Sequence, residues 1–335
     1  MKTYDISEAF PTSIVADFDT FLAGVESADA YLTKAKLTLD RATLHALDAR
    51  MQTFRTETHP RTDQEYYALL NLFQRICMAT RLHTAQPVKG NLRMVSTESA
   101  KSFRQLSPCE KYVALLEALW MDVDWADIAT RWANAFIPGH DFLLEALLEF
   151  PIGEKVKILG ARRSIQIEQH SALRIFSFFG LLECGKSLAP GFQELQIYKG
   201  RVVYESVTLN EFGHGILKTL AAHRPRGLWN VPSRREFGAG GFPGQAWDGD
   251  AEGLATPEPF HTALLPFFPA GTLTRGMPRS AFTFSILEIT GASMWNWLKS
   301  ATNRTKESRR YWRPKAKTRS STGAKNSNDA PWHRG

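Results

Sequence analysis

Two short runs, Arg81-Leu82-His83 and Leu92-Arg93-Met94-Val95, flank Pro87-Val88-Lys89-Gly90-Asn91, and no other feature constrains the chain as much. Gly90 can take the positive φ of a tight turn at no steric cost, so the two runs read as the arms of a β-hairpin. Just upstream, Asp40 stands where it can cap a helix on which Leu44, Leu47 and Met51 recur at helical spacing. A second helix is expected from about Asp63 to Arg81, with Tyr66, Leu69, Leu70, Phe73, Ile76 and Cys77 on one stripe. Helix, helix, strand, turn, strand is the order of a winged helix, in which the last helix before the hairpin can enter a DNA major groove.

The same grammar recurs about 110 residues later. A helix is expected around Ser171 to Leu182, then strand-like Glu194 to Tyr198, a Lys199-Gly200 turn, a return strand Arg201 to Tyr204, and a helix opened by Val207 to Gly213. Between the two copies, Ser107-Pro108-Cys109-Glu110 is a capping box: Ser107 accepts from the third helical amide, Pro108 suits the first helical position and Glu110 reaches back. The expected fold is therefore mainly α with small β-hairpins. It divides into an N-terminal segment (1–28), a winged-helix-like unit (29–106), a helical connector (107–150) and a second winged-helix-like unit (151–223). A Gly/Pro-rich connector (224–279), a short strand-bearing remnant (280–298) and a disordered basic tail (299–335) complete the chain.

Charge separates that tail from the rest. Residues 299–335 hold eleven lysines and arginines against Glu307 and Asp329, a net of +9, whereas residues 1–298 hold 30 basic and 32 acidic residues, a net of −2. A whole-chain charge of +7 is thus a local property and no nucleic-acid footprint of the body. The tail's Ser, Thr, Asn and Gly content and sparse apolar residues cannot offset chain entropy, which is why disorder is expected there. No uninterrupted apolar run approaches the roughly 20 residues of a bilayer span, and Asp5 and Glu8 argue against a secretory leader, so a cytoplasmic protein with no membrane partner is expected. Cys77, Cys109 and Cys184 are odd in number and far apart, and neither disulfides nor a thiolate metal site is expected.

Motifs that suggest chemistry fail on inspection. Gly238-Ala239-Gly240-Gly241-Phe242-Pro243-Gly244 has no preceding strand and no following Lys-Ser/Thr, and Pro243 blocks the helix start that a phosphate loop needs. Asp248, Asp250, Glu252 and Gly253 imitate the start of a calcium loop, yet Pro259 stands where the bidentate acid belongs. Asp122, Asp124 and Asp127 follow an apolar helix with no His or Lys at useful spacing and read as turn or cap residues, and His170 reads as a surface or capping residue ahead of a helix. No catalytic residue, metal or cofactor is expected, and the chain reads as a non-enzyme.

DNA contact is the expected activity of winged-helix-like units. Arg75, Arg81, Lys89 and Arg93 in the first unit, with Gln74 and Asn91, and Arg162, Arg163, Arg174, Lys199 and Arg201 in the second are the candidate contact residues. They are few, and the alternative is a protein-interaction scaffold in which the same units contact a protein partner.

Leu32-Thr33-Lys34, Lys89-Gly90-Asn91-Leu92, the block Leu106 to Trp120, Asp124-Trp125 and Phe178 to Glu183 resemble the region upstream of the plasmid ORF-three-like family, which occurs on bacterial Ri plasmids and beside transposable elements. Phe267-Phe268-Pro269 and Phe282 to Leu287, with Trp295, are similar to the lead-in of that family's C-terminal domain. The resemblance implies a bacterial mobile-element setting and a C-terminal domain cut short after Leu298; it implies no catalytic residue. Removing residues 299–335 is expected to leave the melting temperature within about 2 °C of the full chain, the shift that one kcal/mol produces in a domain of this size. Differential scanning fluorimetry of the two forms checks this.

Overall fold

The structure, a computed structural model, describes residues 2–34, 36–52, 62–128, 139–158, 170–186, 203–223 and 260–273, all within one compact unit. It is a mixed α+β fold, mostly helical, with two small antiparallel three-stranded sheets. The expectations for residues 224–259 and 274–335, the basic tail included, lie outside the described residues.

The first sheet is built by local signals that agree with one another. Helix α1 (Ile14–Ser27) places Ile14, Val15, Phe18, Phe21, Leu22 and Val25 on one buried stripe, so the stretch before Asp29 contains a core helix. Strand β1 (Tyr31–Leu32) follows, then α2 (Arg41–Asp48), whose first turn is closed by Asp40 accepting from the Thr43 amide at 3.0 Å. A 3₁₀ turn (Gln64–Tyr66) precedes α3 (Ala68–Ala79), so the expected helix from Asp63 to Arg81 is shorter and enters through a tighter turn. Arg81 takes φ +56° just past α3 and redirects the chain into β2 (His83–Val88). Lys89 (φ +48°) and Gly90 (φ +81°) make a two-residue turn into β3 (Asn91–Ser96), with Val88 opposite Asn91 and His83 opposite Ser96. Both turn residues have positive φ, the geometry that matches strand twist. β3 lies in the middle, paired with β1 on its other side. Helix α4 (Glu98–Arg104) leaves the sheet, and the Thr97 hydroxyl ahead of it donates to the Arg81 carbonyl at 2.7 Å.

The second sheet repeats these devices with different residues. In chain order, α5 (Pro108–Glu117), a π turn (Ala118–Asp122), α6 (Trp125–Ile128) and α7 (Gly139–Leu148) lead to β4 (Lys155–Lys157). Helix α8 (His170–Phe178), β5 (Leu182–Lys186), β6 (Tyr204–Leu209) and α9 (Glu211–His223) follow. The last described elements are α10 (Phe260–Leu264) and a 3₁₀ turn (Leu265–Phe267). β6 lies between β4 and β5, as β3 lies between β1 and β2. Gly180, φ +66°, ends α8 where Arg81 ends α3. Asn210 ahead of α9 donates to the Gly180 carbonyl at 2.8 Å, as Thr97 does to Arg81, and also accepts from the Gly213 amide at 2.7 Å.

Two expectations are corrected here. The helix expected to reach Leu182 stops at Phe178 and the next residues form β5, so the hairpin pairs 182–186 with 204–209. Val207 to Leu209 belong to β6 and do not open a helix. The expected strand Glu194 to Tyr198 lies outside the described residues.

Helix α5 lies between the strands of the two sheets in chain order and is buried along most of its length. Its capping box forms as the sequence implies, with Ser107 and Glu110 each accepting from the other's backbone amide. Tyr112 donates to the Phe179 carbonyl at 2.8 Å and packs edge-on against the Phe179 ring, while Lys111 pairs with Asp19 of α1 at 2.8 Å. Residues 2–12 form a strap on the second half: the Tyr4 amide donates to the Phe267 carbonyl at 2.8 Å, its ring meets Phe212, and the Thr12 hydroxyl donates to the Phe178 carbonyl at 2.5 Å. One hydrophobic cluster accordingly runs from Ile6 to Leu273.

Helix α9 meets the chain before β5 backbone to backbone, since a Cβ at Gly213 would fall inside the Leu181 carbonyl. Gly213→Ala is expected to destabilise the protein by about 2–3 kcal/mol. Gly90→Ala, where nothing lies within 4 Å, is expected to cost less despite its positive φ. Urea denaturation of both variants tests the ranking.

Candidate nucleic-acid interface

Helix α3 is where a groove-reading face would have to be, and it is enclosed. Leu69, Leu70, Asn71, Leu72, Phe73, Gln74, Ile76 and Cys77 are all buried, leaving only Ala79 exposed and Ala68, Arg75 and Met78 half-buried. Its neighbours include α1, α2, α6, the π turn and α8. Helix α8 is covered similarly: Ala172, Leu173, Ile175, Phe176 and Phe178 are buried, and the Phe176 ring lies 5.8 Å from Trp125 and 6.5 Å from Trp120.

The polar residues of α3 are spent internally. Gln74 Nε2 donates to the Leu37 carbonyl at 2.9 Å, Gln64 Nε2 donates to Asn71 Oδ1 at 2.9 Å, and the Leu39 amide donates to Gln64 Oε1 at 2.8 Å. This network ties α3 to the loop between β1 and α2, because buried amide groups need partners. Gln74, a candidate base reader by type, is a buried structural residue.

The expected contact residues are dispersed. Arg75 is half-buried on α3, and Arg81 is half-buried at the αL position where it supports the hairpin. Arg93 pairs with Asp29 and stacks over Tyr31, its guanidinium 5.5 Å from the ring centre. Arg174 is half-buried over the Phe178 ring at 5.7 Å, and burial pushes its guanidinium below the ordinary arginine range. Lys89, at the hairpin turn, is exposed, as is Asn91 beside it. Arg162, Arg163, Lys199 and Arg201 lie outside the described residues. Three further surface cations are engaged by carboxylates: Arg41 with Asp63 at 2.7 Å, Lys101 with Glu98 at 2.7 Å and Arg104 with Glu26. The described candidates therefore make no continuous basic face.

Chemistry at the remaining polar residues is muted. Burial pushes the Cys109 thiol up to about 11 and Cys184 up to about 12, and raises Cys77 well above its ordinary value, so all three are thiols at neutral pH and poor nucleophiles. His170, expected at the surface, is buried at the start of α8, where its Nδ1 accepts from the Tyr204 amide at 2.9 Å. Asp122 and Asp124 are half-buried at the end of the π turn, and the Asp127 side chain lies outside the described set. Among the described residues, no group of three His, Cys, Asp or Glu is placed to hold a metal ion, and no helix is long and apolar enough to cross a membrane.

No family model, curated protein or solved structure matches this chain. Its reading therefore rests on its own geometry.

Sequence reasoning missed the Gln64–Asn71–Gln74 network. The available signal was three amides spaced along otherwise apolar sequence, where an exposed face would carry charges. Gln74→Ala is expected to cost about 1–3 kcal/mol by leaving the Leu37 carbonyl without its donor. The same substitution is expected to leave duplex-DNA affinity unchanged, which fluorescence anisotropy alongside urea denaturation can check.

Proposed function

We infer that the chain is a non-enzymatic scaffold made of two winged-helix-like units that contacts a protein partner through the exposed hairpin of the first unit. The unit reading is supported by the order α1, β1, α2, α3, β2, β3 with β3 central, and by α7, β4, α8, β5, β6 with β6 central, which repeats it except for a counterpart of α2 among the described residues. The αL residues Arg81 and Gly180 and the bonds from Thr97 and Asn210 sit at equivalent corners, which favours a diverged duplication. One observation carries the functional reading: the helices that precede the two hairpins, α3 and α8, are both buried, so neither offers the face that a major groove would need. What a winged-helix-like unit has left to present is its hairpin, and protein contact is an established use of such a module. The resemblance to the plasmid ORF-three-like family supports a bacterial mobile-element setting for this role.

DNA contact is retained as a second reading because Lys89 and Asn91 project at the first hairpin turn, the part of a wing that can touch phosphate. A photoreactive residue in place of Asn91, cross-linked in cells, separates the two. An adduct destroyed by protease and resistant to nuclease is expected; a nuclease-sensitive adduct would reassign the hairpin to DNA.

A further inference from the structure

The strap is held unevenly along its length. Its root is clamped: the Thr12 hydroxyl donates to the Phe178 carbonyl at 2.5 Å, and Pro11 lies so close to Gly180 that a Cβ there would fall 2.6 Å from the Pro11 side chain. Beyond the root, the chain turns through Ser7 to Phe10, where the Ser7 amide donates to the Phe10 carbonyl at 3.0 Å and the Phe10 amide donates to Ser7 Oγ at 3.1 Å. Of residues 2–10, Ile6 is buried, Tyr4 is half-buried and the others are exposed.

The seat under residues 2–10 comes from chain more than 200 positions away. Phe212, in the first turn of α9, meets the Tyr4 ring edge-on at 4.9 Å and the Phe10 ring at 5.8 Å. The turn after α10 supplies the Phe267 carbonyl, which accepts from the Tyr4 amide at 2.8 Å. Glu211 pairs with Lys2 at 3.1 Å, and Ile6 joins the common hydrophobic cluster. Lys2, Tyr4 and Ile6 are alternate residues, as in a bound extended peptide, where main-chain bonds give hold and every second side chain gives selection.

We propose that residues 2–10 are a detachable ligand supplied by the chain itself, and that the seat of Glu211, Phe212 and Phe267 is a docking site for an extended segment of a protein partner. The strap shows what the seat accepts: a cation, an aromatic residue two positions on and an aliphatic residue two beyond that. Its anchoring is thin enough for exchange. Full burial is confined to Ile6, and the Lys2–Glu211 pair, with side chains 64% and 60% exposed, holds little in water. Segments with few buried apolar contacts open without the rest of the fold. Closure is intramolecular, with an effective concentration in the millimolar range, so a weak contact keeps the seat covered until a better-fitting segment arrives. The site shares no residue with the first hairpin, so its test is independent of the role given to that hairpin.

A fluorescein-labelled peptide with the sequence of residues 2–12, titrated into the full chain by fluorescence anisotropy, tests the assignment. In the full-chain variant Ile6→Asp, a carboxylate replaces the buried anchor of the strap and leaves the residues of the seat unchanged. The peptide is expected to bind this variant at least about tenfold more tightly than wild type, whose seat is already filled. A peptide carrying Tyr4→Ala and Ile6→Ala is expected to lose that binding. Amide exchange of the wild-type chain, corrected for intrinsic rates, reads the opening without any substitution: the Tyr4 amide is expected to exchange at least about a hundredfold faster than the amides of β6. Equal peptide affinity for wild type and Ile6→Asp, or no affinity for an Ile6→Asp chain that unfolds cooperatively, would overturn the proposal. So would an Ile6→Asp chain that does not fold, or a Tyr4 amide as protected as those of β6, since either makes the strap an integral part of the core.

Discussion

The burial of the helix ahead of each hairpin, α3 and α8, is the constraint from which the rest of the structure follows. Six apolar side chains of α3 are withdrawn from water, and each stabilises the fold by about 1.5–3 kcal/mol. Uncovering even three of them would cost on the order of 5 kcal/mol, comparable to the lower end of a domain's total stability. A few phosphate contacts offered by scattered arginines would not return that sum. Helix α3 is therefore an internal packing element, and α6, α8 and the π turn are among the elements that cover it.

Much of this was legible because the signals were local. The Asp40 cap, the Ser107–Glu110 capping box and the Lys89-Gly90 turn each depend on residues within a few positions of one another, and each forms. Helix α1 was not expected, although Ile14, Phe18, Phe21, Leu22 and Val25 recur at helical spacing. Its start is less plain, since the Ser13 hydroxyl bonds the Asp17 carboxylate at 2.8 Å and does not cap the first turn. Strand β5 was hidden by its brevity and by Gly185, while a more alternating run nearby drew the expectation away.

The site was legible only in part, for a different reason. Whether an arginine or glutamine on α3 faces water is decided by what the rest of the chain lays on it: Leu37 from before it, and Trp125 and α8 from well after it. Sequence type pointed Gln74 outward, but the Leu37 carbonyl and Gln64 hold it inside. In the same way Arg93 looked available until Asp29, at φ +53° beside β1, was placed next to it. Non-local partners turn candidate contacts into structural ties, and no periodicity reports them.

The strap formed by residues 2–12 has a consequence for synthesis. The Tyr4 amide bonds the Phe267 carbonyl, and Thr12 bonds Phe178, so these residues leave the ribosome long before the acceptors they bond. At about 5–20 residues per second, the partner of Tyr4 follows it by tens of seconds. For that interval Tyr4 travels on the nascent chain without its acceptor, and the strap closes only when the segment around Phe267 arrives to receive it.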